Sequence, residues 1–174
     1  MTKMTSAYAN KVLNKLTNDK EFWLQKENDG KLYRATIDEE PVIPDYDYEK
    51  VQAEIARIDM QIMKIKHSIN VANSTNKIPV GDSEMTVDMI LIRMPQLNRR
   101  LAILDSMRKH QPKTRITDVF YTTKSKPSPE YEYINYELEK VQADYDTISS
   151  QIALMQLALD KYNQTVEFDV DYDA

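Results

Sequence analysis

The sequence predicts a mainly α-helical protein, an elongated antiparallel bundle or coiled-coil hairpin with a kinked third helix and a few short β segments capping it. Three observations predict it. Apolar residues recur at alternating steps of three and four over two long stretches. Glycine is nearly absent, 2 residues in 174, which leaves little material for tight turns. Charged residues make up 29% against 41% hydrophobic, the balance of solvated helix faces around a packed core.

Length suits one domain over 1–174. An N-terminal helix within 1–30 starts near Thr5, carries Val12, Leu13, Leu16 and the pair Phe22-Trp23, and stops at the turn Asn28-Asp29-Gly30. Leu32 to Ile37 has strand character. Pro44 and the acids Asp45 and Asp47 then mark a helix start, suiting the positive end of the helix dipole. From there Tyr48, Val51, Ile55, Ile58, Ile62, Ile65 and Ile69 form a seam averaging 3.5 residues, the signature of a helix that packs lengthwise on another helix. The turn Pro79-Val80-Gly81-Asp82 leads to a connecting helix over 86–109, with Thr86 as N-cap and Val87, Ile90, Leu91, Met94, Leu97, Leu101 and Leu104 as its stripe. Pro95 lies inside that helix, removes the donor to the Leu91 carbonyl and predicts a kink.

Ile116 to Thr122 reads as a strand. Ser128-Pro129-Glu130 reads as the start of a fourth helix. Its seam is Ile134, Leu138, Val141, Tyr145, Ile148, Ile152, Met155, Leu159 and Tyr162. Val166, Phe168 and Val170 alternate as in a half-buried strand. At ~1.5 Å per residue the two seam helices reach about 45 and 52 Å, so their exposed seams are expected to pair between subunits of a homo-oligomer.

The two seam helices also look like copies. Glu49-Lys50-Val51-Gln52-Ala53 recurs as Glu139-Lys140-Val141-Gln142-Ala143, and 45–80 matches 135–170 at 12 of 36 positions without a gap. A duplicated helix-plus-extended unit is the expectation.

Chemistry is mostly excluded. There is no Cys, hence no disulfide, thiolate ligand or Cys nucleophile. Only His67 and His110 could serve as imidazole ligands, and no Gly-rich phosphate loop, His-Glu metal helix or nucleophile elbow is present. No enzyme, metal or cofactor is expected. Net charge is −5, which argues against general nucleic-acid affinity. The absence of a long apolar run or a basic-then-apolar leader points to a cytoplasmic protein away from membranes.

Charge is nevertheless uneven. Arg93, Arg99, Arg100, Arg108, Lys109, Lys113 and Arg115 cluster with only Asp105 among them, while Glu167, Asp169, Asp171 and Asp173 close the chain. Arginine beside tyrosine can hold a flat anion by stacking and charge-assisted hydrogen bonds. Arg93, Arg99, Arg100, Arg108, Lys109, Tyr136 and Tyr145 are therefore the candidate ligand residues. The bland reading of the same cations is neutralisation of a helix C-terminus.

Ile69-Asn70-Val-Ala-Asn73, Gly81, Met85-Thr86-Val87, Leu91 and Leu97-Asn-Arg99-Arg100-Leu101 resemble the septicolysin-like family of small bacterial and phage helical proteins. In that family a helix with an Asn-rich exit is followed by a loop, a Thr-led helix start and a Leu/Arg-containing helix. Pro95 and the long flanking segments depart from its pattern. The resemblance implies a helical, self-associating protein and carries no catalytic residue.

The functional expectation is a non-enzymatic helical binding protein acting as a symmetric homo-oligomer. Two alternatives stand beside it: sequestration of an anionic, nucleotide-like small molecule, and an acidic inhibitor that occupies a nucleic-acid site on a host protein.

Overall fold

The computed structural model describes residues 1–116 and 129–172. In chain order these form β1 (Thr2–Thr5), α1 (Ser6–Gly30), α2 (Tyr48–Thr75), β2 (Lys77–Val80), β3 (Ser83–Thr86), α3 (Val87–Met107), β4 (Lys113–Arg115), β5 (Tyr131–Tyr133), α4 (Leu138–Thr165) and β6 (Glu167–Val170). The strands pair as three antiparallel ribbons, β1 with β6, β2 with β3 and β4 with β5. Helix predominates, and no described helix is long and apolar enough to cross a membrane. Contacts divide the chain into two compact units, 1–88 with the chain from 158 onward, and 89–157.

In the first unit α1 lies along α2. Thr5 caps α1 by accepting from the Tyr8 N–H, and Asp47 caps α2 by accepting from the Lys50 N–H. Each cap satisfies one of the orphan donors of a helix start. Met4 of β1, Ala9, Val12 and Leu16 of α1, Ile58 and Ile65 of α2 and Val170 of β6 form one buried cluster. Trp23, Ile62, Ile69 and Phe168 border it. Lys20 of α1 bridges Asp59 of α2 at 2.7 Å along the edge of this contact.

This arrangement corrects the assignment of the first seam to a subunit contact. Val51, Ile58 and Ile65 are buried within the chain, because α1 is the partner helix that the seam requires. Tyr48, at the seam's start, is 61% exposed instead of packed.

Both ends of α2 are tied down closely. Gly30, the last residue of α1, meets Tyr46: a Cβ at Gly30 would sit 2.4 Å from the Tyr46 Cβ. Only glycine allows that approach without displacement. At the other end the β2–β3 hairpin closes through Gly81-Asp82, where Gly81 alone has positive φ, 58°. Positive φ confined to the first central residue is the pattern of a type II′ turn, whose twist matches that of the flanking strands. The tyrosine hydroxyl of Tyr162, a buried residue of α4, accepts from Asn76 Nδ2 at 2.9 Å.

In the second unit Ile90, Leu97 and Leu104 of α3 are buried at seven-residue intervals. Val141 and Met155 of α4 are buried too, while Ile148 and Ile152 are half-buried. Pro95 lies within α3, which runs unbroken from Val87 to Met107. The fourth helix begins at Leu138 and not at Pro129, because Tyr131–Tyr133 pairs with β4 instead of entering the helix. Leu32 to Ile37 forms no strand; its residues are exposed and have no pairing partner among the described residues. Of the strand read at Ile116–Thr122, residues 117–122 lie outside the described residues, and the observed strand precedes them. The strand β1 had no sequence signal of its own: its four residues Thr-Lys-Met-Thr bury only Met4 fully.

Candidate functional site

The candidate ligand residues divide into two groups. Arg93, Arg99 and Arg100 stand exposed on α3, with Arg93 donating to Gln96 one turn on. Arg108, Lys109, Tyr136 and Tyr145 come together where α3 ends and α4 begins. The separation follows from helix geometry, since Arg108 lies about 12 Å further along the axis than Arg100.

Asp105 organises the second group. Arg108 reaches back to it through Nε at 2.9 Å and Nη2 at 2.7 Å, and Lys109 pairs with its other oxygen. These are neighbours at three and four residues on one helix face. The hydrogen bond from Lys109, then that from Arg108, hold the Asp105 carboxyl below its ordinary value. The same carboxylate raises Arg108. The Arg108 guanidinium also stacks over the ring of Tyr145 at 4.1 Å.

Tyr136 latches the end of α3. Its hydroxyl donates to the Met107 carbonyl at 2.8 Å, joining the His110 backbone N–H, which donates to the same oxygen at 3.2 Å. The phenol oxygen lies 2.9 Å from His110 Nδ1, so the ring and the phenol share a hydrogen bond whose direction is set by the His110 tautomer. A cleft of about 280 Å³ opens beside this pair, lined by His110, Gln111, Thr114 and residues 132–136. Sequence reasoning missed Asp105 and His110 as partners. A sequence signal for this position was available: Tyr136 stands 90 residues beyond Tyr46, whose Cβ and ring lie against Gly30 at the end of α1.

Tyr46 has its own acid. Desolvation, followed by the charge of Glu27, raises its phenol above the ordinary value. Beyond these, no group of three or more His, Cys, Asp or Glu that could hold a metal ion occurs among the described residues.

Two acids near the end of the chain, Asp169 and Asp171, lie beside cations. Asp171 pairs with Lys64 of α2 at 2.8 Å, and Asp169 stands opposite Lys3 in the β1–β6 ribbon. The Lys64 hydrogen bond, followed by its charge, lowers the Asp171 carboxyl. No family model, characterised protein or solved structure matches the chain.

Proposed function

We propose that the chain is a non-enzymatic binding protein of the cytoplasm that works as a symmetric homo-oligomer, and that it arose by duplication of a β-α-α-β module. The observation that carries self-association is a second apolar row on α2, facing away from the core. Ala53, Ala56, Met60 and Met63 are exposed at steps of three and four, with Met60 50% and Met63 57% open. A helix with one seam filled internally and another unfilled has a partner still to meet. Methionine suits such a contact, being apolar and conformationally adaptable. The substitution Met60→Glu with Met63→Glu should leave the helical spectrum intact and convert the oligomer to single chains. Retention of the parent mass by this variant contradicts the proposal.

The duplication reading rests on strand register. Lys77 pairs with Thr86 and Val80 with Ser83, while Glu167 pairs with Thr5 and Val170 with Thr2. Each residue of β6 stands 90 beyond its counterpart in β2, and each residue of β3 stands 81 beyond its counterpart in β1. The same shifts relate buried Met4, Ala9 and Leu16 to Met85, Ile90 and Leu97, and Tyr46 to Tyr136. In this reading the last strand of each module pairs with the first strand of the other.

A second reading, capture of an anionic nucleotide-like molecule, is favoured by the stack of Arg108 on Tyr145. A thermal-shift screen with nucleotides decides it, since ligand at 100 times its Kd adds about 2.7 kcal/mol. No shift with any nucleotide removes it.

A further inference from the structure

We propose that the β4–β5 ribbon is a docking arm for single-stranded nucleic acid. The ribbon has two chemically different faces. Strand alternation and the pairs Lys113↔Tyr133 and Arg115↔Tyr131 place these four residues on one face, and put Thr114 and Glu132 on the other. One face therefore holds two cations and two phenol rings, and the carboxylate lies behind it. Among the described residues neither Lys113 nor Arg115 is paired with a carboxylate. Lys113 instead sits over the rings, with Nζ 4.1 Å from the Tyr131 centroid and 5.5 Å from that of Tyr133.

Stability does not account for this element. All six strand residues are exposed, so the ribbon buries no core, and an isolated two-stranded ribbon is marginal by itself. Nor does the module explain it: the first half joins its helices through 31–47 without a strand, whereas the second half inserts the ribbon between α3 and α4. It is the one described element with no counterpart in the other half.

The face selects a repeating anionic ligand with flat rings. Tyr131 and Tyr133 are two residues apart on one strand, about 6.8 Å, twice the stacking rise of nucleic-acid bases, and a base that stacks on Tyr131 takes the place of the Lys113 ammonium, which then turns to a phosphate. Lys113 and Arg115, at the same spacing on the adjacent strand, reach successive phosphates. Exposed aromatic rings beside a basic track are how sequence-tolerant single-strand binding works. The net charge of −5 opposes general nucleic-acid affinity, and the ribbon is a local exception to it. With two phosphates neutralised, the salt slope is about −1.4, so a fourfold rise in salt weakens binding about sevenfold.

The test is fluorescence anisotropy of a labelled oligothymidylate titrated with the 174-residue chain. Saturable binding with that salt dependence is expected. Lys113→Glu with Arg115→Glu should abolish it; Tyr131→Ala with Tyr133→Ala should weaken it about tenfold or more, and Phe at both positions should restore it. Because all four side chains are exposed, the melting temperature of each variant should stay at the parent value, which separates loss of binding from loss of fold. Absence of saturable binding overturns the proposal, as does binding indifferent to these substitutions. Equal competition by a mononucleotide or by polyglutamate also overturns it, since either shows a general anion site and not a strand-binding arm.

Discussion

Replacing Ile65 by alanine tests the packing of the first unit. Ile65 is 0% exposed and belongs to the cluster that joins β1, α1, α2 and β6. The substitution removes three buried carbons, worth about 2.4 kcal/mol of transfer at ~0.8 per methylene, and leaves a cavity in that cluster that raises the loss to about 3.5 kcal/mol. For a chain of this length that corresponds to a fall in Tm of roughly 7–14 °C. Trp23 borders the same cluster and is the chain's single tryptophan, so its fluorescence during urea unfolding reports this unit specifically. Met63→Ala, two residues away on the exposed side, should change unfolding of the separated chain by under about 0.5 kcal/mol. Equal losses for the two variants, or a loss under about 1 kcal/mol for Ile65→Ala, would refute the assignment of the inner and outer faces of α2.

Three further outcomes follow from particular contacts. Gly30→Ala should destabilise the first unit by about 1–3 kcal/mol in chemical denaturation despite alanine's better helix propensity, because the new methyl meets Tyr46 at 2.4 Å; a stabilised variant would show that Tyr46 is free to move. Ser6 is buried with no partner for its Oγ, whereas Val87 occupies the equivalent place in the second module, so Ser6→Val should raise stability by about 1 kcal/mol in the same assay. Asp171 has its carboxyl lowered by Lys64, below the ordinary 3.8. Its contribution is thus present above 3.8 and lost as pH falls through the lowered value. Asp171→Asn should be less stable than the parent at neutral pH and should lose less stability on acidification; parallel pH curves would show that the pair contributes nothing.

Much of the helical fold was legible because it depends on local periodicity. The seams of α2 and α4, the cap residues Thr5 and Asp47 and the turn at Gly81 each follow from a few adjacent residues. Pairing partners are not local, and there the sequence misled. A 3.5-residue seam requires a partner helix without saying which, so the buried row from Val51 to Ile65 read as a subunit contact when α1 fills it. Pro129 resembled a first helical residue, yet Tyr131 and Tyr133 have strand propensity and found β4. Of the candidate site, cations near a helix end and tyrosines near a seam could be picked out. Their division into a group at Asp105 and a group exposed along α3 required the coordinates, because charge composition carries no direction.

Self-association is the claim on which the proposed function depends, and the mass of the protein in solution measures it most directly. Native mass spectrometry of the 174-residue chain should give one closed assembly at a whole multiple of 20.3 kDa. A single species at 20.3 kDa, unchanged as concentration rises, would contradict the account and leave the outer row of α2 as ordinary exposed surface.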